Sequence, residues 1–101
     1  MERGGCIYFM TNYQRTTLYI GVTSDLRGRI YEHQNKIHPK SFTARYNLTL
    51  CVYYEVYTSV EEAIDREKQL KKWNRVKKNT LIDNFNKGWH DLTKIIDEWD
   101  D

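Results

Sequence analysis

Apolar positions along this chain follow two different periods. Cys6-Ile7-Tyr8-Phe9-Met10 is a short apolar run rich in β-formers and predicts a strand. Thr11 to Thr16 is polar and turn-like, and Thr17-Leu18-Tyr19-Ile20-Gly21-Val22 predicts a second strand. Two short strands six residues apart make an antiparallel hairpin. Gly21 leaves room for close approach by backbone or ligand. The period then lengthens. Ser24 or Asp25 caps a helix with Leu26, Ile30 and His33 or Gln34 at helical spacing, running to about Asn35. His38-Pro39 ends it, because the residue before proline avoids the helical region.

Residues 36–48 read as a loop or irregular short helix anchored by Phe42, Tyr46 and Leu48. Leu50 to Tyr57 is the clearest strand, and its near-continuous apolar character predicts a central place in the sheet. Ser59-Val60-Glu61-Glu62 has the form of a capping box ahead of a helix through Ala63, Ile64, Glu67 and Leu70 to Trp73. Asn74 caps a further helix with Val76, Leu81, Ile82 and Phe85 on its buried side, broken by Gly88. Asp91 starts a last, acidic helix over 91–101, with Leu92, Ile95, Ile96 and Trp99 on one face. The order β-β-α-β-α-α-α predicts an α+β fold: a small three-stranded, mainly antiparallel sheet flanked by helices.

Length narrows the picture further. The 101 residues suit one domain spanning 1–101. No apolar run reaches the ~20 residues of a membrane helix, and Met1-Glu2-Arg3-Gly4-Gly5 is not the start of a signal peptide. A cytoplasmic location is the expectation. Two cysteines, Cys6 and Cys51, are too few for a disulfide framework or a four-ligand zinc site. The net charge of +2 hides an asymmetry: twelve Lys/Arg face six acids between Leu26 and Lys78, whereas two Lys face six acids between Leu81 and Asp101. A basic middle of this kind suits a polyanion.

Several residues in that middle bear chemistry. Arg29 and His33 are four apart and share a helix face. A guanidinium is a fixed cation with forked donors for phosphate, and imidazole exchanges a proton near neutral pH. Tyr8 and Tyr19 lie one on each hairpin strand. A phenol needs a nearby cation or base before it can take a proton. Glu67 is a lone carboxylate able to hold one Mg²⁺ with waters, or to pair with Lys71 one helical turn on. Taken singly, each of these features also fits a solvated helix face or a half-buried sheet.

Their order is more specific. Ile7-Tyr8, then Tyr19-Ile20-Gly21, then Arg29 eight residues after Gly21, then His33, then Glu67 within Arg66-Glu67-Lys68-Gln69-Leu70-Lys71-Lys72-Trp73 resembles the GIY-YIG nuclease superfamily. Leu18 to Leu26 and Ala63 to Lys71 are similar to its small, single-domain, UvrC-like endonuclease group. The likeness covers about residues 5–92, with Cys6 standing where the first half-motif has its glycine. It implies metal-dependent hydrolysis of DNA phosphodiesters in repair, recombination or DNA processing, with Mg²⁺ or Mn²⁺ as cofactor.

Carried over, Tyr8 is the general base or orients the attacking water, and Tyr19 bonds the phosphate or the water network. Arg29 neutralises phosphate charge, His33 tunes or relays the Tyr8 proton, and Glu67 binds the metal. Asn86 matches a late supporting asparagine, and Gly21 supports the site. The backbone of DNA would then meet Arg27, Lys36, Lys40, Arg45, Lys71, Lys72, Arg75, Lys77 and Lys78. With no reading module in the sequence, binding is expected to be weak, salt-sensitive and unspecific, with specificity supplied by a protein partner. The chain is expected to be a monomer or weak dimer. The competing readings are a nucleic-acid-binding module that cuts little without a partner or special DNA structure, and an interaction protein whose Tyr53, Tyr54 and Tyr57 form a dimer surface.

Overall fold

The computed structural model describes residues 4–99. The reading of Met1 to Arg3, and the last two acids of the expected helix over 91–101, lie outside them. Eight elements follow in order: β1 Gly5–Thr11, β2 Leu18–Thr23, α1 Leu26–Gln34, α2 Phe42–Arg45, β3 Leu50–Tyr57, α3 Val60–Lys71, α4 Arg75–Phe85 and α5 Thr93–Asp97. All three strands are antiparallel, in the order β2-β1-β3. The α+β architecture is therefore the expected one.

Helices cover both faces of the sheet. Cys6, Tyr8 and Met10 of β1 pack with Leu26 and Ile30 of α1, Ile96 of α5, and with Leu48, Cys51 and Leu92. Ile7 and Phe9 point the other way, onto Ala63 and Leu70 of α3, Ile82 of α4, and Ile20, Val52 and Tyr53. The alternation of a strand thus feeds two cores, and every residue of β1 is buried.

The central strand is β1, which corrects the expectation for β3. The apolar run of β3 reports that both of its faces are covered; it says nothing about its place in the order. The start of its outer edge, at Cys51 and Val52, is bonded by the chain around residues 86–92. Asn86 Nδ2 donates to the Val52 carbonyl at 3.0 Å, Leu92 N–H to the Cys51 carbonyl at 2.7 Å, and Cys51 N–H to Asp91 Oδ1 at 3.1 Å. The tyrosines of β3 are likewise engaged internally. Tyr53 packs edge-on to Phe9 and Phe85, Tyr54 to Phe85 and Trp99, and Tyr57 donates its hydroxyl to Glu55 at 2.6 Å. Arg66 binds the same carboxylate through two nitrogens, at 2.9 and 3.1 Å. These rings are therefore held by contacts within the fold.

Helix starts follow the side chains available to orphan N–H groups. Asp25, rather than Ser24, caps α1 by accepting from Gly28 N–H at 3.1 Å. Ser59 accepts from Glu62 N–H at 3.2 Å, while the Glu62 carboxylate takes the hydroxyls of Thr58 and Ser59 instead of closing the box on the backbone. Asn74 caps α4 through Lys77 N–H at 2.8 Å. Two expected faces are narrower than the spacing implied. Of the apolar positions on α4, Ile82 is buried, whereas Val76 and Phe85 are exposed. The last helix is a short turn, Thr93–Asp97, with Leu92 and Ile96 buried and Ile95 exposed. Asp91 spends its carboxylate on Cys51 and Thr93, so it sits ahead of that helix as a clasp.

Candidate active site

The site is built where β1 and β2 pass beneath α1. Tyr8 pairs with Gly21 across the hairpin, and its ring lies over the β2 backbone. A Cβ on residue 21 would sit 2.4 Å from Tyr8 Oη. Gly21 is thus the residue that lets the phenol lie flat under the helix. From α1, His33 is the third buried position after Leu26 and Ile30. Its Nε2 lies 2.8 Å from Tyr8 Oη. Its Nδ1 lies 2.8 Å from Thr43 Oγ1, which in turn lies 3.2 Å from Ser41 Oγ. A four-group polar chain therefore runs Tyr8–His33–Thr43–Ser41, from beneath the helix to the cleft wall. Tyr19 closes the site from β2, with ring centroids 6.2 Å from Tyr8 and 5.7 Å from His33.

Arg29 stands one turn before His33 and opens the site to solvent. Its Nη1 donates to Glu32 Oε1 at 2.7 Å, and its charge reaches both Tyr8 and His33. A cleft of about 360 Å³ lies in front, lined by Tyr19, Arg29, Glu32, His33 and Phe42, with Lys36 and His38 at its margin. Burial, followed by the neighbouring Tyr19, pushes the Tyr8 phenol above its ordinary range, against the pull of Arg29. Burial, then the Arg29 cation, lowers His33 from 6.5 to about 4. At neutral pH the imidazole is uncharged, so one ring nitrogen is free to accept a proton.

That lowering has a consequence for stability. Between about pH 4 and 6.5 the unfolded chain protonates residue 33 and the folded one does not. The unfolded state then binds more protons, so stability is full above pH 6.5 and falls as the pH drops toward 4. The expected loss is about 3 kcal/mol, from the unit-by-unit cost of a pKa shift. Urea midpoints compared at neutral and acid pH for wild type and His33→Gln check this. The variant should lose less over that window, and parallel curves would count against it.

Of the five expected site residues, Tyr19, Arg29 and His33 line this cleft, and Tyr8 lies buried behind it against His33. Glu67 does not line it. Its Oε2 pairs with Lys71 Nζ at 3.1 Å within α3, and Lys71 belongs to a neighbouring groove that shares Tyr19 and Phe42 with the cleft. Asn86 is a structural clasp: besides Val52 it holds the His90 carbonyl at 2.8 Å and accepts from His90 N–H at 3.1 Å. Cys6 sits in the core beside Tyr8, with burial pushing its thiol up to about 11.

The nine basic residues divide by what holds them. Arg27 donates to the carbonyls of Ile96 and Trp99, and Arg75 to those of Arg15 and Thr16, so both staple the fold. Lys77 lies 4.1 Å from the Trp73 ring centroid. Arg45 lies over Tyr46, and Lys40 and Lys72 are exposed on the surface. Lys36 lines the cleft, and Lys71 and Lys78 line the groove beside it. Sequence reading missed Glu32, Ser41 and Thr43. Glu32 was signalled by its i+3 spacing from Arg29. Thr43 carried no signal, because the four-residue α2 that brings it to His33 is too short to show a period.

Comparison with known proteins places this geometry in a family. Residues 4–80 match the GIY-YIG catalytic domain. A UPF0213 protein of Bacillus pumilus is 29% identical over 99 residues, covering 95% of this chain and 100% of that protein. A UPF0213 protein of Desulfotalea psychrophila is 32% identical over 73 residues, covering 72% of this chain and 66% of its own length. One from Staphylococcus epidermidis is 35% identical over 66 residues, covering 65% of this chain and 79% of its own. No solved structure gives a significant match. No helix among the described residues is long and apolar enough to cross a membrane. The match reaches from β1 through the first half of α4 and so includes both tyrosines, Arg29, His33 and Glu67: the chain belongs to the GIY-YIG nuclease family.

Proposed function

We propose that this chain is a metal-dependent endonuclease that hydrolyses DNA phosphodiester bonds in DNA processing, with the Arg29 cleft as its active site. The observation that carries the reading is the 2.8 Å contact between Tyr8 Oη and an uncharged His33, set beside the Arg29 guanidinium. The scissile phosphate binds at Arg29, where negative charge grows on its non-bridging oxygens during attack. Tyr8 accepts the proton of the attacking water as its own proton passes to His33 Nε2. His33 then passes its Nδ1 proton to Thr43 as the Thr43 and Ser41 hydroxyls each hand on their own, and the last proton leaves to water in the cleft. Tyr8 has no exposed surface, so water reaches its hydroxyl only after substrate parts the aromatic wall formed with Tyr19. Tyr19 orders the phosphate or the water beside it.

GIY-YIG nucleases generally use a divalent metal ion. No group of three or more His, Cys, Asp or Glu among the described residues could hold a metal. A single carboxylate, Glu67, would hold Mg²⁺ or Mn²⁺, hard cations that favour oxygen donors. When bound, the ion supplies positive charge at the leaving 3′-oxygen. Lys71 neutralises Glu67 in its absence, and Lys36, Lys71 and Lys78 hold the DNA backbone around the cleft.

A second reading rests on that same ion pair: with Glu67 occupied by Lys71, the chain binds DNA and waits for a partner before cutting. The test is incubation of supercoiled, branched and single-stranded DNA with Mg²⁺ or Mn²⁺. Cleavage is expected, lost on adding a chelator and restored by excess metal. Glu67→Ala should require far more metal or fail outright. Binding without cleavage of any substrate would select the second reading.

A further inference from the structure

The side of the cleft away from Arg29 is an aromatic shelf. Phe42 is 44% exposed and Tyr46 is 48% exposed, although Thr43 and Ala44 between them are buried. Thr43 and Ala44 point inward, and Ser41 caps the turn, so α2 holds both rings outward on a fixed base. The Phe42 ring is stacked on Tyr19 at 27° with centroids 6.4 Å apart, and Tyr46 follows at 4.7 Å. Three rings therefore lead from the reaction centre to the surface.

The shelf is set among cations. On one side it walls the cleft that holds Arg29 and Lys36. On the other it walls a groove of about 300 Å³, floored by Leu18 and Ile20 and edged by Lys71 and Lys78. Arg45 lies 5.7 Å from the Tyr46 ring centroid. Apolar flat surfaces flanked by lysines fit one ligand chemistry: a planar base carried on a phosphate backbone. The faces of bases inside a duplex are already stacked on one another and are closed to such a shelf. An unpaired base offers its face freely.

We propose that Phe42, with Tyr46 behind it, is a stacking subsite for an unpaired DNA base next to the phosphate held at Arg29. The inference rests on the cleft being the phosphate site. It defines the substrate class as single-stranded or locally opened DNA, read without regard to sequence. Lys71 and Lys78 hold the phosphates that follow the stacked base. Aromatic stacking tolerates every base, so sequence selectivity is not expected from this subsite.

The test separates binding from chemistry. Single-stranded oligonucleotides carrying 2-aminopurine are titrated with protein in chelator, where no cutting occurs, and a blunt duplex of equal length is the control. Wild type should quench the fluorescence and bind the single strand more tightly than the duplex. Phe42→Leu, which keeps the apolar cover of Tyr19, should bind the single strand roughly tenfold more weakly and lose the quench. Phe42→Tyr should restore both. Thermal melts show that each variant is folded, and a Tyr46→Leu variant gives the same reading if Phe42→Leu is not. Unchanged quench and affinity in a folded leucine variant, or a wild-type preference for duplex, would overturn the subsite. A wild type that quenches but never cuts with added metal supports the subsite and overturns the nuclease reading alone.

Discussion

Tyr8→Phe is expected to lower the DNA cleavage rate by about 10²–10⁴-fold, the range lost with a positioned proton-transfer group. DNA binding should change little, because Tyr8 has no exposed surface and offers phosphate nothing before the wall opens. In kinetic terms kcat falls and KM holds, the signature of an interaction made only in the transition state. The substitution removes one oxygen and leaves the ring over Gly21. It also leaves His33 Nε2 without its partner at 2.8 Å in a buried position. An unsatisfied buried group costs about 1–3 kcal/mol, so urea denaturation should register a loss of that size while the protein stays folded. Activity must therefore be measured well below the melting temperature of the variant. A folded Tyr8→Phe protein that cuts within about threefold of wild type would remove Tyr8 from the proton path.

Much of this arrangement was legible in residue order. The hairpin followed from two β-forming runs and a short polar turn, and α1 from Leu26, Ile30 and His33 at helical spacing. The helix caps at Ser59 and Asn74, and that of α1 to within Ser24 or Asp25, were visible because a cap is a local bond between near neighbours. Other features depended on partners far along the chain. Strand order was misread because apolar content measures how many faces are covered, and β3 is covered twice while lying at an edge. The spacing of Leu92, Ile95, Ile96 and Trp99 predicted a last helix, which forms over Thr93–Asp97, but Asp91 is drawn off to the β3 edge, forty residues away in sequence. The charge run could not say which cations face outward. Arg27 and Arg75 find carbonyls on other elements, and only packing decides that. Likewise Glu67 carried both of its possible readings in the sequence, and the structure has it paired with Lys71 one turn on.

Arg29→Ala should reduce cleavage by about 10²–10³-fold, the scale on which a lost oxyanion-stabilising donor acts. The expected cost in stability is far smaller. The Arg29–Glu32 pair is 2.7 Å long, but both side chains are more than a third exposed, so solvent screens most of its attraction. A large catalytic loss in a protein of nearly unchanged stability separates a chemical role from a structural one. The cation also acts on its neighbours. It lowers His33 and favours ionisation of Tyr8, so its removal should let the His33 pKa rise and the Tyr8 pKa rise with it. Arg29→Lys keeps the charge and loses the fork, and should recover part of the activity. Titration of the His33 ring by NMR checks the electrostatic half of the argument independently of turnover. If Arg29→Ala moved neither the ring's titration nor the cleavage rate, the guanidinium would be a surface ion pair and the phosphate would have to bind elsewhere.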